Sequence, residues 1–337
     1  MEKALAPRWS SHPLLAESLR KVEAYLEEQL STGHSLISGA VMSLLQAGGK
    51  RIRPALVLAS GMFGKANPAK LVPVASAIEI VHMATLVHDD IIDDADTRRG
   101  VQTVHARYGA DVAVFTGDYL FTRAFHILSE YASHEMLSSV ARAVQEVCEG
   151  EIEQYEARGN TAVSFGQYLR RIRRKTAMLF ALSCYAGALV AEAPRGTADA
   201  LRRFGLHLGI AFQIADDILD FSQDSATTGK PAGHDLACGV YTLPVIYALG
   251  SNRWGSKLRD LLVAPNGGNS GPGNEQERHE ARERIIAIVR ESGALQRASQ
   301  VAERYAARAR RFLAPLPDGA GKEILADILA SAVHRAS

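Results

Sequence analysis

The sequence predicts an all-α protein made of long helices packed on one another. Apolar residues recur every three or four positions along almost the whole chain, and this period is typical of a helix that buries one face. Near the start they fall at Leu15, Leu19, Val22, Leu26 and Leu30. No run of alternating apolar and polar residues indicates a strand. Hydrophobic residues make up 47% of the 337 residues, which is enough for a large core.

Nine long helices are predicted from this pattern. In chain order they cover residues 13–30, 68–94, 111–131, 135–157, 165–191, 195–222, 276–291, 296–314 and 320–334. Segments with Gly and Pro separate them, at GGKRIRP, FGKANP and GKPAG, because these residues interrupt a helix. The segment 264–276 is rich in Gly and predicts a flexible surface loop. We expect one domain over residues 1–337, with residues 1–12 as an N-terminal extension.

Charge and cysteine content exclude several classes of protein. The chain has 38 basic and 37 acidic residues, so no overall charge attracts it to nucleic acid or an anionic membrane. Cys148, Cys184 and Cys238 lie far apart and predict free thiols in a reducing compartment. The start of the chain lacks the apolar stretch of a signal peptide. Charge interrupts apolar runs before the roughly 20 residues that cross a bilayer. We therefore expect a cytoplasmic protein.

Two apolar helical runs, 68–94 and 195–222, end in similar clusters of aspartate. The clusters are Asp89, Asp90 and Asp93 in VHDDIIDDADTRRG, and Asp216, Asp217 and Asp220 in FQIADDILDFSQD. Residues three or four apart share a helix face, so the carboxylates of each cluster gather and repel unless a cation neutralises them. Oxygen ligands without Cys or paired His favour Mg²⁺, which often shares its ligands with phosphate. We expect the clusters to form opposed walls of one cavity that binds a polyphosphate.

Cationic residues near both clusters predict further anion contacts. In GGKRIRP the glycines allow close approach of the backbone, while Lys50 and Arg53 can hold phosphate oxygens. Arg98 and Arg99 directly follow the first cluster. The spacings GxxxxGK[ST] and GxGxxG of nucleotide-binding loops are absent, which disfavours a nucleotide.

The set of motifs resembles the trans-isoprenyl (polyprenyl) diphosphate synthases. GGKRIRP, VHDDIIDDADTRRG, RRKT, FQIADDILD and TGKPAGHDL occur in that family's order and spacing, over roughly residues 14 to 335. The resemblance implies a single-domain bundle of long helices around a central apolar cavity, the isoprenoid synthase type. It implies Mg²⁺-dependent head-to-tail condensation of isopentenyl diphosphate with an allylic diphosphate, farnesyl or geranylgeranyl. It also implies a homodimer and three Mg²⁺ ions when diphosphate is bound.

The resemblance also implies roles for individual residues. Asp89, Asp93 and Asp216 would ligate Mg²⁺ directly, with Asp90, Asp217 and Asp220 in support. The allylic diphosphate would be held by Arg98, Lys175, Thr176, Gln213 and Lys230. Isopentenyl diphosphate would be held by Lys50, Arg53, His82 and Arg99. No side chain stands out as the base, and the resemblance assigns that role to the released pyrophosphate.

Product length is expected to depend on the pocket floor below the first cluster. Ala84 and Thr85 lie five and four residues before Asp89, where short-chain members of the family carry bulky aromatic residues. Small side chains there leave room for growth until Val81 or Phe125 stops it. We expect a product beyond C20, in the range of about C30 to C40.

One position departs from the family pattern. Many members have a lysine where this chain has Val240, after Gly239. Similar sequences without this lysine include catalytic components, called component 2, of heptaprenyl diphosphate synthases, and some of these work with a small regulatory subunit. Such a partner therefore stays open for this chain, and so does loose membrane contact for release of an apolar product.

Other functions remain as alternatives at this point. A geranylgeranyl or farnesyl diphosphate synthase would make a shorter product from the same motifs. A terpene cyclase would ionise one prenyl diphosphate without extending it, and the second anion site at Lys50 and Arg53 argues against it. A noncatalytic partner subunit would have eroded aspartates, whereas both clusters are intact.

Overall fold

The computed structural model describes residues 8–98, 100–222, 233–263 and 275–333. These residues are almost entirely helical, which confirms the all-α prediction. The helices are α1 (Pro13–Leu30), α2 (Ser35–Gln46), α3 (Ile52–Gly61), α4 (Pro68–Ile92), α5 (Val104–Tyr108), α6 (Ala110–Tyr131), α7 (His134–Glu156), α8 (Phe165–Ile172), α9 (Met178–Val190), α10 (Arg195–Ser222), α11 (His234–Ala237), α12 (Leu243–Leu249), α13 (Gly255–Val263), α14 (Glu275–Glu291), α15 (Ala294–Leu313) and α16 (Ala320–Val333).

Most of the long helices begin and end within a few residues of their predicted bounds. The predicted helix 165–191 differs, because the π-helical turn Arg173–Ala177 separates α8 from α9. The short helices α2, α3, α5, α11, α12 and α13 were not predicted. Helix α3 begins inside GGKRIRP and tolerates Pro54, since the first turn of a helix does not need every N–H.

A two-residue antiparallel ribbon follows α4 and departs from the prediction of no strands. Strand β1 (Thr97–Arg98) pairs with β2 (Val101–Gln102), so that Thr97 lies opposite Gln102. Gly100 takes a positive φ of 77° in the turn, a conformation that glycine adopts at little cost. The ribbon reverses the direction of the chain after the first aspartate cluster.

The chain divides into two compact units, each built from several segments. The first unit comprises 1–144, 179–205 and 310–328, and the second comprises 145–178, 206–309 and 329–337. One domain over residues 1–337 stays a prediction. Within the expected extension 1–12, Trp9 is buried at 1% exposure. Most of the expected loop 264–276 lies outside the described residues, and α14 already begins at Glu275.

Helix α4 is the central helix of the first unit. It packs against α6, α3 and α1, and nearly every residue from Leu71 to Ala84 is buried. By length and composition α4 could cross a membrane, but 78% of its apolar window is buried inside the protein, as in a core helix. Between Leu71 and Val87 the sequence has one residue from the group Asp, Glu, Lys and Arg, which is Glu79, and it is 4% exposed.

The second unit has its own apolar core. Residues from the end of α10 and from α11 to α14 meet there, with Phe221, Tyr241, Leu258, Ile285 and Val289 among them. Val240 is also buried, at 6% exposure. The position at which the family pattern led us to expect a lysine therefore holds a buried apolar side chain.

Close helix packing in the first unit predicts a large effect of one added methyl group. Gly187 of α9 lies against the backbone of Val57 in α3, and a Cβ at position 187 would overlap the carbonyl oxygen of Val57. We expect Gly187→Ala to lower the free energy of unfolding by about 2–3 kcal/mol, because the two backbones must separate. Denaturant unfolding followed by circular dichroism measures this change.

Gly196→Ala is the matched control for this experiment. Gly196 lies in the first turn of α10, and a Cβ there meets nothing within 4 Å. We expect Gly196→Ala to be neutral or to stabilise by about 0.5 kcal/mol, since alanine favours the helix. Equal losses in both variants would contradict the packing between α3 and α9.

Candidate active site

The first aspartate cluster lies at the carboxyl end of α4. Asp89 and Asp93 are partly buried, and the N–H of Asp93 donates to the carbonyl of Asp89 at 2.9 Å. Asp90 is buried and accepts hydrogen bonds from Nε and Nη2 of Arg98 in β1, each 2.8 Å from Oδ1. The carbonyl dipoles of a helix make its carboxyl end negative, so this end adds to the charge of the carboxylates. The arrangement favours a bound cation.

The second cluster lies at the carboxyl end of α10 and has the same polarity. Asp216 is exposed and Asp217 is buried. Asp217 accepts from the hydroxyl of Tyr168 at 2.6 Å and from Nε2 of Gln213 at 2.8 Å. Oδ1 of Asp220 accepts from the N–H of His234 at 3.1 Å, whereas its buried Oδ2 has no hydrogen-bond donor among the described residues.

The pKa values of this second cluster are raised. Burial, followed by the charge of Asp235, raises the pKa of Asp217 to about 8 and that of Asp220 to about 7. Asp216 adds to both effects. Carboxylates with a raised pKa are destabilised in their charged form, and a cation relieves that cost.

The carboxylates fit a divalent ion that keeps most of its own water. In the part of the chain that the structure describes, no group of three or more His, Cys, Asp and Glu side chains is arranged to hold a metal ion by itself. Mg²⁺ does not need such a cage, because it commonly takes one or two carboxylates and completes its shell with water and phosphate oxygens. The buried Oδ2 of Asp220 and the two negative helix ends are consistent with that kind of site.

Residues from two predicted motifs, RRKT and FQIADD, meet at the π-helical turn. The hydroxyl of Thr176 donates to Oε1 of Gln213 at 2.7 Å, and Gln213 in turn donates to Asp217. Lys175 lies on the same turn, and its Nζ contacts Oε2 of Glu151 at 2.8 Å. A π-helical turn widens a helix locally and often marks a functional position. Hydrogen bonds from Thr176 to Gln213 and from Gln213 to Asp217 therefore link the RRKT segment to the second aspartate cluster.

Helix α7 approaches this turn closely at Gly150. A Cβ at position 150 would lie 2.9 Å from Cβ of Arg174 and 3.0 Å from the backbone N of Lys175. Arg174 is held by ion pairs with Glu146, Glu149 and Glu153 of α7. The turn therefore has a defined position against α7.

A small cavity of about 40 Å³ in the first unit connects several of the predicted residues. It is lined by Ser43, Leu44, Ala47, Gly48, Arg51, Glu79, His82, Met83, Leu86, Asp90, Arg98, Gln102 and Thr103. Asp90, Arg98 and His82 belong to the predicted metal, allylic diphosphate and isopentenyl diphosphate sets, so the cavity brings together one member of each set.

The two cations of GGKRIRP that were predicted to bind diphosphate lie on either side of the first residue of α3. Lys50 is exposed, and Arg53 is partly buried with its guanidinium 5.1 Å from the ring centre of Phe180. No side chain caps the amino end of α3, so its positive dipole adds to these cations. Arg99 and Lys230 lie outside the described residues, and their roles stay predictions.

The predicted chain-length residues differ in exposure. Ala84 and Val81 are fully buried in α4, and the partly buried Thr85 donates to the carbonyl of His82 at 2.8 Å. Phe125 lies on α6, which packs against α4, but it is 37% exposed at the surface of the single chain. Its role in stopping growth stays a prediction.

Sequence reasoning missed several residues that support the site. Tyr168 bonds Asp217, and Arg51 and Glu79 line the cavity beside His82. Arg171 is buried and donates to the carbonyl of Tyr241 at 2.9 Å. Only Arg51 stood in a recognised motif. The others gave no signal, because their partners are distant in sequence.

Known proteins resemble the chain over nearly its whole length. It matches the polyprenyl synthetase family over residues 34–268. Heptaprenyl diphosphate synthase component 2 of Geobacillus stearothermophilus is 40% identical over 317 residues, which cover 94% of this chain and 95% of that protein. The crystal structure of heptaprenyl diphosphate synthase from Staphylococcus aureus has a TM-score of 0.87 at 32% identity, covering 96% of this chain and 98% of the other.

A third relative was solved with ligands. The polyprenyl synthase of Caulobacter crescentus CB15, complexed with calcium and isoprenyl diphosphate, has a TM-score of 0.87 at 33% identity and covers 96% of each chain. The fold of the present chain is the isoprenoid synthase fold of these structures. The chain therefore belongs to the polyprenyl synthetase family, and the protein is a prenyltransferase.

Proposed function

We propose that the protein is a medium- to long-chain all-trans polyprenyl diphosphate synthase. It condenses isopentenyl diphosphate head to tail with an allylic primer, farnesyl or geranylgeranyl diphosphate, to a product of about C30 to C40. The observation that carries the proposal is the pair of intact aspartate clusters at the negative ends of α4 and α10. The family membership supplies the class of reaction.

Divalent metal ions, Mg²⁺ in this proposal, are held by Asp89 and Asp93 in one cluster and by Asp216 in the other. Bound Mg²⁺ supplies positive charge that stabilises the departing pyrophosphate. The calcium in the polyprenyl synthase of Caulobacter crescentus supports a divalent ion in this role. Asp90 and Asp217 act in support, because Arg98 and Tyr168 hold them in place.

The side chains of this protein position two diphosphates and stabilise negative charge. Arg98, Lys175, Thr176, Gln213 and Lys230 hold the allylic diphosphate, whose C–O bond ionises as charge builds on its oxygens. The double bond of isopentenyl diphosphate, held by Lys50, Arg53, His82 and Arg99, attacks the allylic cation. Loss of a proton to the released pyrophosphate then gives an allylic product five carbons longer. Buried Ala84 and Val81 belong to the apolar wall that excludes water from the cation.

Assembly and location are part of the proposal. Val114 and Phe115 of α6 are 41% and 62% exposed, an apolar surface that supports a homodimer. The name component 2 in the Geobacillus stearothermophilus relative supports a small regulatory subunit as a further partner. We place the protein in the cytoplasm, with at most peripheral membrane contact when an apolar product is released.

One prediction of the proposed function concerns the metal-dependent reaction. Purified protein with radiolabelled isopentenyl diphosphate, farnesyl diphosphate and Mg²⁺ is expected to form extended prenyl diphosphates, and a chelator is expected to abolish them. Asp89→Asn and Asp216→Asn are each expected to lower kcat by about 10²–10³-fold, because charge on the leaving group is less stabilised. The exposed Asp260, which has no role in the site, supplies the control Asp260→Asn, with activity expected within about 2-fold.

Each outcome of this assay discriminates a function. Cyclised hydrocarbons would identify a cyclase, and products of C15 or C20 would identify a short-chain synthase. Absence of product, with the small subunit of a heptaprenyl diphosphate synthase also added, would contradict the proposal. Extension that persists in the presence of the chelator would overturn the metal-dependent mechanism.

A further prediction of the proposed function concerns product length. Ala84→Phe is expected to shorten the product by at least one isoprene unit, because a large ring one turn below Asp89 blocks the growing chain. Reversed-phase chromatography of the dephosphorylated products measures the length. Ala84→Leu is expected to give an intermediate shift, and Phe125→Ala tests whether the α6 position stops growth. An active Ala84→Phe enzyme with unchanged product length would refute the assignment of Ala84.

A further inference from the structure

The connection between α2 and α3, residues 47–51, ends in an unusual backbone conformation. Arg51 has φ 49° and ψ 37°, in the left-handed region, and it is the residue that directly precedes α3. A long side chain with a Cβ takes this conformation at a cost in free energy, so other contacts must hold it. The carbonyl of Arg51 accepts from the N–H of Ala55 at 3.0 Å, which begins the helix. The backbone of Arg51 thus sets the direction of α3.

The side chain of Arg51 supplies contacts of this kind. It is 8% exposed, and its guanidinium forms a two-bond fork with Glu23 of α1, with Nε to Oε1 at 2.6 Å and Nη2 to Oε2 at 3.1 Å. The third nitrogen, Nη1, donates to Oε1 of Glu79 in α4 at 3.1 Å. Two carboxylates therefore share one cation, which ties α1 and α4 to the start of α3. Because its charge is neutralised in this way, Arg51 is a poor ligand for an external anion.

Burying the carboxylate of Glu79 at this position costs free energy. Glu79 is the only acidic side chain between Leu71 and Val87 of a buried helix, and it is 4% exposed. A buried ion pair contributes little to stability compared with apolar side chains of similar size. Its effect here is to fix the positions of the segments that it joins. His82 lies three residues further on, on the same face of α4. Glu79, Arg51 and His82 all line the 40 Å³ cavity.

We propose that Arg51 is a positioning residue for the isopentenyl diphosphate site, acting through Glu79 and Glu23. Lys50 precedes Arg51 directly and Arg53 follows it by two residues, so an anchor at Arg51 fixes the backbone from which both cations extend. Through Glu79 the same anchor sets this segment against the face of α4 that carries His82. The proposal rests on the proposed function, since it concerns the binding of one of the two substrates.

The double variant Arg51→Met/Glu79→Leu tests this role. Removing both charges avoids an unpaired buried carboxylate, and such replacements are often tolerated by the fold. We expect the KM for isopentenyl diphosphate to rise about 10-fold or more, because misplaced groups bind the diphosphate less well. The KM for farnesyl diphosphate and the kcat at saturating substrates are expected to change by less than about 3-fold. Steady-state kinetics with each substrate varied in turn measures the split.

Two further variants make the result specific. Arg51→Lys keeps a charge but loses the fork, so its KM for isopentenyl diphosphate is expected to lie between those of the wild type and the double variant. The exposed pair Lys65 and Glu192 provides the control, since Glu192 is also left-handed at φ 54° and lies 2.8 Å from Lys65. Lys65→Met/Glu192→Leu is expected to leave both KM values within about 2-fold.

The outcomes separate this inference from the proposed function. If wild-type protein extends prenyl diphosphates but the double variant leaves both KM values unchanged, the positioning role is overturned and the function stands. Equal rises in both KM values, or a fall in thermal midpoint that alone explains the loss of activity, would assign Arg51 to general stability and also overturn it. Failure of the wild-type protein to extend any primer would remove the proposed function itself.

Discussion

The accumulation of negative charge at the carboxyl ends of two helices is the constraint on which the site depends. Three aspartates end α4 and three end α10, where the helix dipole is itself negative. Burial, followed by the charge of Asp235, raises the pKa values of Asp217 and Asp220, so keeping these carboxylates charged costs free energy. In the proposed function, a divalent ion with its water and a diphosphate offsets this cost, so the binding of metal and the binding of substrate are electrostatically coupled.

The supporting contacts differ between the first and the second aspartate of each cluster. In both clusters the second aspartate is buried and held by neighbouring donors, Arg98 for Asp90, and Tyr168 with Gln213 for Asp217. The first aspartate of each cluster is more open to solvent, because Asp89 is partly buried and Asp216 is exposed. A buried carboxylate with fixed donors is a rigid support, whereas a carboxylate nearer the surface is accessible to an ion from solvent. This division follows from helix geometry, because adjacent residues point in different directions.

Much of the fold could be predicted from the sequence, because amphipathic helices carry a periodic signal. The bounds of α1, α6 and α10 agree with prediction to within a residue or so. Helices α2, α3, α5, α11, α12 and α13 were missed because they are short and lie close to Gly or Pro. The site motifs were visible as clusters of charge, but Tyr168 and Glu79 were not, since each acts through a partner tens of residues away. The π-helical turn also left no mark in the hydrophobic pattern.

The contact between α7 and the π-helical turn has a consequence for how this protein can change. Gly150 leaves room for the backbone of Lys175, and any larger residue there would push against it. Cβ of Arg174 and the backbone N of Lys175 both belong to the π-helical turn, so a side chain at position 150 fits only if α7 or this turn shifts. The residues that position 150 can accept are therefore limited by the conformation of RRKT, a segment that lies outside α7.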